Sequence, residues 1–100
     1  MYTVIYEPQA EDDLIEIVLY YIEQSGFVLG ETIQKRLQAH IALLQTIPYR
    51  TIESPLAENV REFLIERLPY KAYFTIDESS KSVFILRILH TSRNHKKEQI

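Results

Sequence analysis

The spacing of hydrophobic positions changes along the chain, from a helical period in the first half to strand-like runs in the last two-fifths. Apolar residues recur every three or four positions in two stretches, which predicts two helices. The first covers residues 8–25, and Gly26 after it favours a left-handed cap. The second runs from about 28 or 31 to 46, before Pro48. Because so few residues join them, we expect either an antiparallel helical hairpin or a near-continuous bend.

Residues typical of β-strands are concentrated near the N-terminus and in three runs after residue 59. Residues 2–6 are rich in β-branched and aromatic residues, and similar runs cover about 60–67, 70–77 and 82–90. The connections between the last three runs are too short for a parallel crossover, so they predict an antiparallel meander. Residues 48–59 contain two prolines and no clear period, which is typical of a loop or a short irregular edge.

The last run, at 82–90, is apolar on both sides, which predicts a central strand. Alternation along it assigns two faces, Phe84, Leu86, Ile88 and His90 against Val83, Ile85, Arg87 and Leu89. The predicted order is β-α-α-β-β-β, an α+β fold with a helical hairpin packed on one face of a small, mainly antiparallel sheet. At this length we expect a single domain over residues 1–100.

The composition narrows the classes of function. The chain has no cysteine, which excludes disulfides, thiolate metal sites and a cysteine nucleophile. The histidines, at His40, His90 and His95, lack metal-ligand spacing, so we predict no metal and no cofactor. We see no secretion signal and no apolar run long enough to cross a bilayer, so we expect a cytoplasmic protein with no membrane partner.

Charge is distributed unevenly along the chain. Residues 1–34 hold seven acidic residues and no Lys or Arg, whereas residues 35–100 hold all eleven bases. No acid lies between residues 79 and 97, so the C-terminal part is predicted to form a local cationic patch that an acidic partner segment would complement. The net charge of −3 makes general nucleic-acid binding unfavourable.

Several short motifs follow one another over about residues 2–93. They comprise Tyr6, Pro8, Ala10, Asp13, Leu14, Ile17, Tyr20 or Tyr21 and Ile22; Leu43-Leu44-Gln45-Thr46-Ile47-Pro48; Val60-Arg61-Glu62-Phe63; Pro69, Tyr70, Tyr73, Ile76 and Asp77; and Val83, Ile85, Leu86, Ile88, His90 and Arg93. In this order the chain resembles the RelE/ParE superfamily of bacterial type II toxins. The resemblance implies a toxin neutralised by a cognate antitoxin, in a toxin–antitoxin hetero-oligomer.

The resemblance also implies two alternative targets. RelE-like members are ribosome-dependent mRNA endonucleases, so their partners are the ribosome and mRNA, and ParE-like members are described as inhibitors of DNA gyrase. RNA cleavage needs a base, an acid and cations that stabilise the phosphorane. If the chain is a nuclease, the candidate catalytic residues are Arg61, Lys71, His90 and Arg93.

Two departures from the nuclease pattern and one likeness to ParE weaken the nuclease alternative. Phe63 follows Arg61 on the same strand face, where a lysine-rich nuclease would hold a second cation, and no tyrosine follows Arg93. The Leu89-His90 pair with Arg93 also looks ParE-like. The sequence therefore favours a ParE-like gyrase inhibitor that is not an enzyme, with the RelE-like nuclease as the alternative.

Eight residues are predicted to bind the target or the antitoxin. They are Arg61, Arg87, His90, Arg93 and His95, with the surface-prone apolar residues Leu19, Tyr20 and Phe27. Structural roles compete with this prediction. Arg61 could pair with Glu58 or Glu62, Arg87 with a carboxylate of its own fold, and His90 could be a half-buried histidine at the sheet end.

Overall fold

Two helices pack against a five-stranded sheet in the computed structural model, which describes residues 1–92 and 100. The elements are β1 Thr3–Tyr6, α1 Pro8–Ser25, α2 Phe27–Ala42, a 3₁₀ turn Leu43–Gln45, β2 Ile52–Glu53, β3 Arg61–Leu64, β4 Tyr70–Asp77 and β5 Ser82–His90. The predicted α+β fold with a helical hairpin on a small sheet is confirmed. No helix in this part of the chain is long and hydrophobic enough to span a membrane.

The sheet has the strand order β1-β5-β4-β3-β2. β1 pairs with β5 in parallel, and all other pairs are antiparallel, which confirms the meander. β5 has a strand on each side, as its two apolar faces predicted. The segment predicted as a loop or irregular edge contributes the two-residue strand β2, which pairs with β3.

The hydrophobic core lies between the hairpin and the sheet. Its buried members are Ala10, Leu14, Ile17, Ile33, Leu37, Ile41, Leu44, Ile65, Tyr70, Ala72, Phe74, Val83, Ile85 and Ile88. The helical members recur every three or four positions, so the apolar stripes that predicted the helices are the faces that they bury.

A β-bulge corrects the predicted faces of β5. Tyr73 pairs with Arg87 and Phe74 with Ile85, so Leu86 is an extra residue on this strand. An extra residue inverts the alternation beyond it. Ile88, assigned by alternation to the face opposite Ile85, is therefore buried in the same core, and that assignment was wrong.

The helical hairpin is tighter than its sequence predicted. α2 begins at Phe27, directly after Gly26, which has a φ of 93° and donates its N–H to Ile22. It ends at Ala42 rather than at Thr46, and a 3₁₀ turn follows. A Cβ on Gly30 would lie 2.3 Å from Cγ1 of Ile22. The absence of a side chain at Gly30 therefore sets how closely the helices approach.

Candidate functional site

A groove of about 520 Å³ lies between α1 and the C-terminal end of β5. We call it the α1–β5 groove, and its lining includes Asp13, Glu16, Tyr20, Tyr21, Tyr70, Arg87, His90 and Ser92. Three of the predicted site residues, Tyr20, Arg87 and His90, meet here. The strand β5 and the helix α1 supply these side chains from rigid elements, so their geometry is fixed by the fold.

Asp13 and Arg87 form an ion pair inside this groove. The guanidinium donates from Nε to Oδ2 at 2.7 Å and from Nη2 to Oδ1 at 3.0 Å. The carboxylate also accepts the backbone N–H of Ile88 at 2.9 Å. β1 pairs with β5 only as far as Ile85, so Asp13 supplies an acceptor on this side of β5 where no strand does. The hydrogen bonds to Asp13 raise the pKa of Arg87 above its usual value.

Arg87 was predicted either to bind a partner or to pair with a carboxylate of its own fold. In the structure it pairs with such a carboxylate, that of Asp13. An Arg–carboxylate pair held by two hydrogen bonds has much of its charge neutralised locally. Lys81, at the other end of β5, likewise contacts Glu78. The described part of the predicted cationic patch is therefore less available to an acidic partner than its sequence suggested.

His90 lies at the end of β5, half-buried beside Tyr70. The two rings meet edge to face with centroids 5.3 Å apart. Nδ1 of His90 accepts the backbone N–H of Ser92 at 3.1 Å, and the Ser92 hydroxyl lies 2.7 Å from the same nitrogen. In this geometry the proton of the neutral ring is carried by Nε2. These contacts at the end of β5 orient the imidazole, which lines the α1–β5 groove.

Arg61 is held by the loop that precedes β2. Its Nε donates to Oγ1 of Thr51 at 2.8 Å, and its Nη2 donates to the carbonyls of Thr51 and Tyr49. The nearest carboxylate is that of Glu53, at 3.9 Å, rather than Glu58 or Glu62. Arg61 lines a different depression from the α1–β5 groove, so the structure does not bring it together with His90.

Lys71 contacts a buried carboxylate on the neighbouring strand. Its Nζ lies 3.1 Å from Oε1 of Glu62, whose other oxygen accepts the hydroxyl of Ser54 at 2.8 Å. Glu62 also lies beside Tyr73 in the pairing register. Burial raises the pKa of Tyr73, and the charge of Glu62 raises it further. Lys71 therefore balances a charge within the fold, outside the lining of the α1–β5 groove.

The turn between β4 and β5 carries a second polar cluster, centred on Glu78. Its Oε2 accepts the hydroxyls of Tyr2 at 2.7 Å and Tyr49 at 2.6 Å, and its Oε1 contacts Lys81. The hydrogen bond from Lys81, followed by those from the two tyrosines, lowers the pKa of Glu78 to about 2. This cluster ties the turn to the N-terminus and to the loop before β2.

The apolar residues predicted as binding positions lie on the solvent side of the hairpin. Leu19 is 52% exposed, Tyr20 is 54% exposed and Phe27 is 67% exposed. They are large hydrophobic side chains that contribute little to the core, which is typical of an interaction surface.

Two predicted site residues, Arg93 and His95, lie outside the residues that the structure describes. Three acidic residues of the networks above were missed as site residues in the sequence: Asp13, Glu62 and Glu78. A signal for Asp13 was present, because it follows Ala10 by three positions and precedes Ile17 by four, which places a carboxylate on the apolar stripe. Within residues 1–92, no three His, Cys, Asp or Glu side chains converge as metal ligands would.

The same fold occurs in solved toxin structures. The chromosomal ParDE toxin–antitoxin system of P. aeruginosa contains a chain 24% identical in sequence, with a TM-score of 0.81, and the match covers 92% of this chain and 98% of that one. The RelBE2 complex of Mycobacterium tuberculosis matches at 22% identity and a TM-score of 0.65, covering 89% and 96%. The intact E. coli RelBE complex matches at 10% identity and a TM-score of 0.67, covering 93% and 100%.

These likenesses show the fold, and the match to a family model shows the class of protein, a toxin of the RelE/ParE superfamily, as the motifs predicted. The model of the family described as "ParE toxin of type II toxin-antitoxin system, parDE" matches residues 4–95. The chain therefore belongs to the ParE toxin family. A search of curated protein sequences gives no significant match.

Proposed function

We propose that this chain is a cytoplasmic ParE-like toxin that binds and inhibits DNA gyrase and is neutralised by a cognate antitoxin in a hetero-oligomeric complex. Membership of the ParE family over residues 4–95 is the observation that carries the proposal. In this proposal the chain acts by binding and has no catalytic residues of its own.

The state of the cations supports binding over nuclease chemistry. A phosphorane needs cations that are free to contact it. Arg87 is paired with Asp13, Lys71 with Glu62, and Arg61 donates to the loop at Thr51. Recruiting any of these three side chains to a phosphate would break a contact of the fold, at a cost in stability.

The direct test is a supercoiling assay with purified toxin, gyrase, ATP and relaxed plasmid. We expect inhibition and trapped cleavage complexes at excess toxin, and restored supercoiling when the antitoxin encoded beside this gene is added. Full gyrase activity at a large excess of folded toxin would contradict the proposed target. Native mass spectrometry of the co-expressed pair tests the antitoxin separately, and absence of a complex would contradict that part.

The RelE-like nuclease is retained as a second candidate because of one observation. The α1–β5 groove gathers an imidazole, His90, with a guanidinium, Arg87, and the phenol of Tyr20. These are the side-chain types that general acid–base cleavage of RNA uses.

Sequencing of mRNA ends during toxin induction distinguishes the two candidates. Ribosome-phased cuts that disappear in His90→Gln but persist in the matched variant His40→Gln would favour the nuclease. His40 is a suitable control because it is also half-buried but contacts Arg36 and Glu66, away from the groove. Intact transcripts during growth arrest would exclude the nuclease.

A further inference from the structure

Arg67 adopts a backbone conformation that its residue type disfavours. It lies between β3 and β4, in a connection that we call the β3–β4 turn (residues 65–69), with a φ of 64°. The Cβ of an L-residue crowds the backbone in this left-handed region, where glycine and asparagine are the usual occupants. The arginine is therefore strained at a position that a glycine would occupy without strain.

The β3–β4 turn holds Arg67 at a defined position. The N–H of Leu68 donates to the carbonyl of Ile65 at 3.2 Å and closes the turn, and the N–H of Ile65 donates to the carbonyl of Tyr70 at 2.9 Å. Ile65 is fully buried, and Leu68 packs against the core. Because residues on both sides of it are anchored in the core, Arg67 is presented to solvent from a fixed turn at one end of the sheet.

The side chain of Arg67 makes no contact that would offset this strain within the described part of the fold. It is exposed, and among residues 1–92 and 100 it forms no hydrogen bond, ion pair or ring contact. Lys81 differs in this respect. It has a φ of 52°, but its ammonium contacts Glu78 and lies 5.2 Å from the centre of the Tyr2 ring. The strain of Lys81 accompanies contacts of the fold, whereas that of Arg67 does not.

An exposed leucine directly precedes the β3–β4 turn. Leu64 is the last residue of β3 and is 58% exposed. It pairs with Lys71, whereas Phe63 before it pairs with the buried Ala72 and packs against the core. Since successive side chains of a strand point to opposite faces, Leu64 lies on the face of the sheet away from the helical hairpin. This end of the sheet therefore combines a guanidinium with an apolar side chain, as protein interfaces often do.

We propose that Arg67 contacts a carboxylate of DNA gyrase, that Leu64 packs beside this contact, and that the β3–β4 turn is part of the surface that inhibits the enzyme. The inference rests on the proposed function, from which gyrase is taken, and adds the residues that touch it. A guanidinium donates two parallel hydrogen bonds to a carboxylate, and the low dielectric of an interface strengthens them. A contact of this kind would offset the strained backbone.

Charge and symmetry argue against two other occupants. A single cation with Glu66 beside it is a weak site for DNA, because affinity for DNA depends on how many phosphates are neutralised. A second copy of the chain could offer its acidic first helix to Arg67. Such a contact joins two different surfaces, so it builds rings or filaments rather than a twofold dimer.

Substitution of Arg67 separates inhibition from stability. Glycine removes the guanidinium and relieves the backbone, so we expect Arg67→Gly to raise the half-inhibitory concentration in the supercoiling assay about tenfold or more, with a Tm equal to or above that of wild type. Arg67→Asn, which also tolerates this φ, should behave alike. Arg67→Lys keeps the charge without the paired hydrogen bonds and should lose about threefold. Inhibition by Arg67→Gly equal to that of wild type would overturn the proposal.

Matched variants locate the contact. Arg50→Asn is the control for charge, because Arg50 is also exposed but lies in the loop before β2. We expect Leu64→Ser to weaken inhibition about fivefold. Its control is Leu43→Ser, at a position 48% exposed in the 3₁₀ turn. Both controls should stay within about twofold of wild type. Equal losses in the variants and the controls would contradict the assignment to the β3–β4 turn.

Binding to gyrase with and without DNA identifies the anion that Arg67 contacts. In biolayer interferometry with immobilised gyrase, we expect Arg67→Gly to lose affinity in the absence of DNA, and the difference from wild type to shrink as salt rises. A loss that occurs only on the gyrase–DNA complex would identify a phosphate and overturn the assignment of a carboxylate.

Three further outcomes separate this inference from the proposed function. We expect Arg67→Gly to bind the antitoxin encoded beside this gene within about twofold of wild type. If Arg67→Gly weakens that binding as much as it weakens gyrase inhibition, the contact is not specific to gyrase and the inference is wrong. If sedimentation shows assemblies of wild type that Arg67→Gly dissociates, a second copy is the occupant and the inference is wrong. Absence of inhibition by wild type would contradict the proposed target, and this contact with it.

Discussion

Asp13 and Arg87 are 74 positions apart in the chain, and their ion pair joins α1 to the bulged strand β5. The same carboxylate accepts the N–H of Ile88, so one acidic side chain serves both a charge and a backbone donor. Because the pair lines the α1–β5 groove, its geometry also sets the shape of that groove.

Removing the acid from this pair should destabilise the fold. We expect Asp13→Ala to lower the free energy of unfolding by about 3 kcal/mol, because it leaves a partly buried guanidinium and a backbone N–H without their acceptor. Urea unfolding measures the loss. The neighbouring Asp12→Ala is the control, with a change within about 0.5 kcal/mol. In a double-mutant cycle, Asp13→Ala and Arg87→Ala should be strongly non-additive.

A methyl group at Gly30 should separate the two helices. Alanine favours helix, but its Cβ would lie 2.3 Å from Cγ1 of Ile22 and 3.2 Å from the carbonyl oxygen of Val18. We expect Gly30→Ala to lower the free energy of unfolding by about 1–3 kcal/mol, since overpacking outweighs propensity. The double variant Gly30→Ala/Ile22→Ala should lose less free energy of unfolding than the two single variants lose in sum. A stabilised Gly30→Ala would contradict the close approach.

The Glu78 cluster predicts a pH dependence with a defined sign. Its folded-state pKa, about 2, lies below the usual value of 4.5, so its contribution is present above pH 4.5 and is lost as pH falls towards 2. The Tm difference between wild type and Glu78→Gln should therefore shrink over that window. A difference that stays constant from pH 7 to 2 would contradict the cluster.

The Glu78 cluster should also make the thermal stability depend on pH in the alkaline range. The hydrogen bonds to Glu78 raise the pKa of Tyr2 and Tyr49 above 10.0. The contribution of these tyrosines is therefore present below pH 10 and is lost at higher pH as each phenol ionises. We expect the Tm of wild type to fall more steeply above pH 10 than that of the Tyr2→Phe/Tyr49→Phe variant. Parallel profiles would contradict this assignment.

Arg61 should prove to be an anchor for the loop before β2. Lysine cannot reproduce a guanidinium that donates from two nitrogens to Thr51 and Tyr49. We expect Arg61→Lys to lower the free energy of unfolding by about 2 kcal/mol and to accelerate amide hydrogen exchange over residues 49–53. Arg50→Ala, at an exposed neighbouring position, is the control. If the Arg61→Lys variant shows the amide hydrogen exchange of wild type but no longer inhibits gyrase, Arg61 belongs instead to the surface that binds gyrase.

Local patterns were enough to predict the elements and their broad arrangement. The helical stripes, the short strand connections and the apolar faces of β5 all depend on neighbouring residues, and the structure has the hairpin and meander that they predicted. The register of β5 could not be read in this way. A bulge at Leu86 depends on pairing with β4, and it moved Ile88 to the core face.

The sequence by itself determined the α+β fold, the acidic first helix and the exposure of Leu19, Tyr20 and Phe27, because burial period and charge order are properties of the chain. Only the tertiary structure decided which cations are already neutralised. The pairing of Arg87 with Asp13 and of Lys71 with Glu62 depends on which elements the fold brings within a few ångströms. Coulomb attraction acts across space rather than along the chain, so such partners have no fixed spacing in sequence.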